Sequence, residues 1–239
     1  MVKTAVIMAA GMGIRFGAMT DERPKGFIEA GDMSMIERSV RILQACGIRR
    51  IVIGTGHRHE WYERLAGRYE GIECVFSPRY AETNSMFTLY WLRETIGTDD
   101  FLLLESDLVF ERQAITALME CPEPDVMLIT PVTKFQDQYY VEADAGHVLR
   151  NCSTDAAALN YEGELVGIHK LSNNFYQRMC DDYAQKVAAQ PKLGYEYQLL
   201  HMSQNGYPVY VLCVQGLKWY EIDDAADLAY AEKHVVPYL

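Results

Sequence analysis

The sequence predicts an α/β fold, a doubly wound and mostly parallel sheet, on three observations. Short apolar runs alternate with helix-spaced runs through the first half of the 239 residues. The apolar runs are near-continuous rather than alternating, as in strands buried on both faces. A glycine turn follows the first run, at the strand end where folds of this class bring backbone against a ligand.

"TAVIMAA" is the first such strand, and "MSMIERSVRILQACG" the first helix, with Met35, Ile36, Val40 and Leu43 on one face and Gly47 closing it. "RRIVIGTG" and "IECVFSP" are further strands around the helix "EWYERLAGRY", and Pro78 stops the second of them. "NSMFTLYWLRETIG" reads as a helix capped by Asn84 or Ser85. "DFLLLESDLVF" reads as one buried strand, "ERQAITALME" as a helix and "DVMLITPV" as a fifth strand. After about residue 133 the rhythm changes. "DQYYVEADAGHVLRNCS" is a hairpin turning at "DAG", and "GELVGIHKLS" another strand. Helices over "NNFYQRMCDDYAQKVAAQ" and "EYQLLHMSQNG" follow, then the strand "PVYVLCV", the tail "GLKWYEIDD" and a last helix "AADLAYAEKHV". The whole reads as a single domain over 1–239, a Rossmann-like sheet with a small β-hairpin and helical elaboration.

A formal net charge of −11 argues against a nucleic-acid surface, which needs a concentrated positive stripe. No run approaches the roughly 20 apolar residues of a membrane span, and "TAVIMAA" is too short for a signal peptide, so a cytoplasmic protein is expected. Six cysteines are scattered singly and read as free thiols, and no histidine pair has zinc spacing. His57 and His59 read as surface residues.

The glycines run Gly11, Gly13, Gly17, which is G-x-G-x-x-x-G. A dinucleotide site requires G-x-G-x-x-G and an acid at the end of the second strand, and "VIGTGH" has none. A P-loop requires Gly-Lys-Ser/Thr at the helix start, which is absent from "GIRFGAMTD". A purely topological turn is the plain alternative. Against it stand two cations, Arg15 within the loop and Lys25 after Pro24.

"AAGMGIRF…RPKGFIEAGDMSMIERSV" resembles the signature loop of the nucleoside-triphosphate transferases, with its G-x-G-x-R…P-K pattern. "NSMFTLYWL" is similar to the asparagine-led helix of the small cytidylyltransferases, those for phosphocholine and 2-aminoethylphosphonate. "LLLESDLVF" occupies the place of their metal-binding aspartate, and "KWYEIDDAADLAYAE" that of their closing tryptophan and acidic motif. The resemblance implies the fold of the nucleotide-diphospho-sugar transferases, with residues 1–133 as a nucleotide-binding half and 134–239 as an acceptor-binding half.

It also implies a Mg2+-dependent transfer of CMP from CTP to a small zwitterionic phosphate or phosphonate, with 2-aminoethylphosphonate favoured and phosphocholine as the alternative. A sugar 1-phosphate nucleotidyltransferase and a non-catalytic nucleotide sensor are the rival readings. Ala10, Gly11, Met12 and Gly13 line the triphosphate, Ala9 is a nucleotide-binding residue beside them, and Ala10, Asn84 and Ser85 read the base. Arg15 grips phosphate oxygens, and Lys25 sets a point charge beside the α-phosphate. Asp107, emerging at a strand's carboxyl end, and Asp223, before the last helix, are the expected metal ligands. Both are also plausible as capping residues, and Glu221 and Asp224 stand beside Asp223 as alternatives. Asp137, Tyr139, Tyr195, Glu196 and Trp219 are candidates for the acceptor, as aromatic cage or as carboxylates for an amine. Lys134 or Lys170 would meet its phosphonate. The oligomeric state, monomer or homodimer, has no signature.

Overall fold

A computed structural model describes residues 2–134 and 138–239. β1 (Thr4–Ala9) runs through the middle of the main sheet, with all six residues buried. β2 (Glu29–Ala30) and β3 (Met33–Ser34) make a small antiparallel hairpin that leads into α1 (Met35–Ala45). The Ser34 side chain accepts from the backbone N–H of Glu37, and Met35, Ile36, Val40 and Leu43 form the buried stripe of α1. β4 (Arg50–Thr55), α2 (Glu60–Ala66) and β5 (Ile72–Phe76) complete the first winding.

α3 (Ser85–Trp91) and α4 (Arg93–Ile96) occupy the stretch expected as one helix, with Leu92 at the joint. The expected single strand over 101–110 is also two: β6 (Phe101–Glu105) and β7 (Leu108–Phe110), separated by a turn at Ser106–Asp107. Then come α5 (Gln113–Glu120), β8 (Val126–Thr130) and the hairpin of β9 (Tyr140–Ala143) and β10 (Leu149–Ser153). Its turn is held by the Asp144 carboxylate, which accepts from the N–H groups of Gly146 and Val148. β11 (Gly163–Leu171), α6 (Asn173–Ala184), α7 (Tyr195–Gln204), β12 (Tyr210–Cys213), β13 (Trp219–Glu221) and α8 (Ala225–His234) finish the chain.

Across the main sheet the order is β10–β9–β11–β6–β1–β4–β5, with β8 along the other side of β11 and β12 beyond it. β5, β4, β1 and β6 are parallel, and β11 is reversed against both β6 and β8. The chain winds outward from β1 to β5 and returns on the other side of β1 as β6. The crevice at the carboxyl ends of β1 and β6 is therefore the topological switch point.

Strand residues alternate between two buried layers. Val6, Phe101 and Leu103 pack with α3, α6 and α7, while Ala5, Ile7, Leu102 and Leu104 pack with α1, α2 and α5. Each fully buried leucine contributes on the order of 2 kcal/mol by transfer from water. A third cluster, including Phe16, Ile28, Val109, Ile222 and Ala231, fastens α8 beneath the glycine loop.

Candidate active site

The loop after β1 turns away from the sheet at Gly13, whose φ of 64° suits glycine, and enters a 3-10 turn over Ile14–Thr20. The Thr20 hydroxyl lies 3.0 Å from the carbonyls of both Gly13 and Gly17, and His57 Nε2 lies 3.0 Å from Thr20 O. A Cβ at Gly13 would sit 3.1 Å from that of Lys25, so the glycine lets the two segments close on each other. Gly26 does the same one residue later, where a Cβ would lie 3.1 Å from the carbonyl of Ser106. Lys25 is thereby pressed against the break between β6 and β7.

At that break β7 pairs antiparallel with β13, Leu108 opposite Glu221, and Ile222 N donates to Asp107 O at 3.0 Å. This short ladder brings Asp107 and Asp223 together from opposite ends of the chain. Lys25 Nζ lies 2.5 Å from Asp107 Oδ2 and 2.6 Å from Asp223 Oδ1, and Arg15 Nη2 lies 2.6 Å from the same Asp223 oxygen. Lys134 Nζ approaches Asp223 at 3.6 Å and Asp227 at 2.9 Å. Burial alone would lower the Lys25 pKa, but the Asp107 and Asp223 charges outweigh it and hold the ammonium above its ordinary value. Burial would raise the Asp223 pKa, but Lys25, Arg15 and Lys134 together outweigh it and keep that carboxyl below its usual range. Asp107 Oδ1 and Asp223 Oδ2 are buried and without a hydrogen-bond partner among the described residues.

Beyond Asp107 the cleft is acidic. Burial pushes Glu196 up to about 7. Burial, then the Asp107 and Asp223 charges, push Glu221 up to about 8. Glu105 is raised well above its ordinary value by burial and then by Glu221, Asp107 and Glu196, although Tyr195 OH donates to its Oε1 at 2.7 Å. Glu105, Asp107 and Glu221 each bring one carboxylate oxygen within 4.8 Å of the other two.

The cleft encloses about 600 Å3, enough for a nucleotide. Ala10, Gly11, Gly13, Arg15 and Lys25 line one wall, and Asn84, Ser85, Tyr195 and Glu196 the facing one, with Asp107, Asp223 and Tyr139 between. The facing wall is itself tied together where Tyr195 N donates to Ser85 Oγ at 3.0 Å and Asn84 Nδ2 to Lys192 O at 3.2 Å. An adjoining hollow of about 360 Å3 includes Arg15, Tyr139, Glu105, Glu196, Glu221 and Gly167 in its walls.

Several expected residues lie elsewhere. Trp219 is a correction: it is 7% exposed in the core, and its indole N–H donates to Thr130 Oγ1 at 2.9 Å. Its position in β13 turns it away from the cleft. Ala9 is the buried last residue of β1, its methyl group in the core, and Met12 is exposed and absent from the cleft wall. Lys170 is spent on the carbonyl of Cys121, 2.6 Å away. Asp137 lies outside the described residues. Sequence reasoning passed over Glu105, although "LLLESD" places it two residues before Asp107, in step with Phe101 and Leu103. It also passed over Tyr62, Tyr80 and Thr88, which line the cleft and carry no motif.

Residues 5–193 match the model of the MobA-like NTP transferase domain. A relative from Streptomyces rubellomurinus, a CMP-5'-(3-aminopropyl)phosphonate synthase, is 28% identical across 98% of this chain and 39% of its own length. The chain thus spans about two fifths of that relative. The choline-phosphate cytidylyltransferase of Streptococcus pneumoniae is 28% identical across 62% of this chain and 68% of its own. The solved structure of the inositol-1-phosphate CTP transferase from T. maritima superposes with a TM-score of 0.82 at 17% identity, covering 98% of this chain and 97% of that one. That likeness shows the doubly wound α/β fold, as the strand order does.

Proposed function

The chain belongs to the MobA-like NTP transferase domain family, and on that premise we propose that it transfers CMP from CTP to a small amino-alkyl phosphonate or phosphate, with 2-aminoethylphosphonate the favoured acceptor. One observation carries the reading: a buried lysine beneath a glycine loop bridges two aspartates at the switch point. Names among the relatives, an aminopropylphosphonate CMP synthase and a choline-phosphate cytidylyltransferase, support cytidine and an amine-bearing acceptor.

In the transfer, an acceptor phosphonate oxygen attacks the α-phosphorus in line. A new P–O bond forms, the bond from that phosphorus to the bridging oxygen breaks, and pyrophosphate carries the electron pair away. The amides of Ala10–Gly13 hold the triphosphate, Arg15 its outer oxygens, and Lys25 the charge that grows on the α-phosphoryl group. Asn84 and Ser85 bound the base end of the cleft. A magnesium ion suits the site, because Asp107 and Asp223 each keep a buried oxygen without a hydrogen-bond partner. Bound there, it would neutralise phosphate charge. The acceptor's ammonium lies among Glu105, Glu196 and Glu221, beside Tyr139.

Phosphocholine is the second reading, supported by the Tyr139–Tyr197 ring pair, 5.6 Å between centroids, next to Glu196. Pyrophosphate release should be measured with each nucleoside triphosphate against 2-aminoethylphosphonate, phosphocholine, phosphoethanolamine and glucose 1-phosphate. CTP with an amino-alkyl acceptor is expected to turn over fastest. Turnover on the sugar phosphate alone would overturn the acceptor class, and nucleotide binding without any turnover would leave a sensor.

A further inference from the structure

Tyr195 stands in the cleft wall but has no surface to offer a ligand: it is fully buried. Both its ends are engaged inside the protein. Its backbone N–H donates to Ser85 Oγ at 3.0 Å, and its hydroxyl donates to Glu105 Oε1 at 2.7 Å. Behind the hydroxyl, His169 Nε2 lies 3.3 Å away, on a side chain that is also fully buried. With Glu105 ionised, the tyrosine's one proton goes to its carboxylate, and the imidazole then faces the tyrosine oxygen with its hydrogen on Nε2. Burial holds that imidazole neutral, with its pKa pushed down to about 3.

A second support comes from β11. Its pairing with β8 shifts register between Leu165 and His169, and Gly167 in that interval has a φ of 78°. A Cβ at Gly167 would lie 3.1 Å from Glu105 Oε2. The irregular strand thus leaves a recess shaped to one carboxylate. Oε1 is held by the tyrosine, and Oε2 lies against the glycine that walls the acidic hollow.

We propose that Tyr195 is a positioning residue, which with His169 and Gly167 aims the Glu105 carboxylate at the ammonium group of the acceptor. This rests on the amino-alkyl acceptor reading above. A carboxylate left to rotate would serve a diffuse cation almost as well. One held through its Oε1 favours a primary ammonium, whose N–H groups have direction, over a trimethylammonium, which has none. Tyr195 acts through Glu105 and does not touch substrate, which changes its expected role from contact to support.

The test compares the full chain with Tyr195→Phe and Glu105→Gln on two acceptors, 2-aminoethylphosphonate and ethylphosphonate, which differ only in the amine. The intact protein is expected to prefer the amine, and both substitutions to cut that preference by about tenfold or more, through the acceptor KM, with the KM for CTP unchanged. Equal losses on both acceptors would mark a merely structural tyrosine and overturn the proposal. So would a change confined to the magnesium requirement, which would make Glu105 a metal ligand. Should Tyr195→Phe fold poorly by its thermal midpoint, Gly167→Ala replaces it, and an unchanged preference there overturns the proposal equally. An unsubstituted protein active on both acceptors without preference overturns this inference alone. One inactive on every acceptor removes the underlying reading and this inference with it.

Discussion

The two ends of the cleft handle buried charge in opposite ways. At the loop end, Lys25 and Arg15 lie 2.5–2.6 Å from Asp107 and Asp223. At the acidic end, which begins within 4.8 Å of Asp107, burial pushes Glu105, Glu196 and Glu221 toward their protonated forms, and neighbouring carboxylates, Asp107 among them, add to it at Glu105 and Glu221. The difference teaches where a ligand's charges belong. Paired cations can be handed over to phosphate oxygens, and the aspartates they leave are suited to a metal ion. Under-compensated carboxylates gain most from a ligand that brings a positive charge.

The largest effect is expected from Lys25→Met. It removes the cation shared by both aspartates, so kcat for pyrophosphate release should fall about 10²- to 10³-fold. Loss of a buried partner should also cost about 3 kcal/mol of stability. A fall of less than tenfold in a steady-state assay would break the assignment of the loop end to phosphate.

Glu196→Gln tests the acidic end through stability. A carboxyl group pushed from 4.5 to about 7 holds its proton more tightly folded than unfolded. Its contribution is whole below pH 4.5 and is lost as the pH rises through 7. The glutamine variant should therefore match the parent near pH 4 and exceed it above pH 8, by up to about 3 kcal/mol. Lys25, raised above its usual 10.5, keeps its contribution across that whole window. Urea midpoints at the two pH values check this, and a variant weaker at both would show that Glu196 is satisfied in place.

The smallest effect, away from both ends, is expected from Ser34→Ala. Losing the N-cap of α1 should cost about 1 kcal/mol, read as a thermal midpoint a few degrees lower, with turnover unchanged. A change in turnover would mean that the α1 scaffold is coupled to the charges of the cleft.

Much of the architecture was legible because its signals are local. The buried runs of β1 and β8, the stripe and cap of α1, and the Asp144 turn are each written in neighbouring residues. The break between β6 and β7 was not, since "FLLLESDLVF" is apolar on both sides of the turn and β7 owes its separate pairing to β13. Within the candidate site, Arg15, Lys25, Asp107 and Asp223 stood out by motif and resemblance. Trp219 misled because an aromatic beside acidic residues reads equally well as a cage or as core, and only the β13 register sends its ring inward.

By itself the sequence determined the alternation of buried strands and amphipathic helices, the glycine turn after β1, and the residue types available at the strand ends. Periodicity, caps and φ requirements act over a few residues and need no distant partner. Only the tertiary structure decided which charges meet: Asp107 with Asp223 through the β7–β13 ladder, and Lys25 between them where Gly13 and Gly26 allow close approach. It likewise buried Tyr195 and set its hydroxyl on Glu105. Such meetings depend on register and on the face each strand presents, and a shift of one residue would exchange those faces.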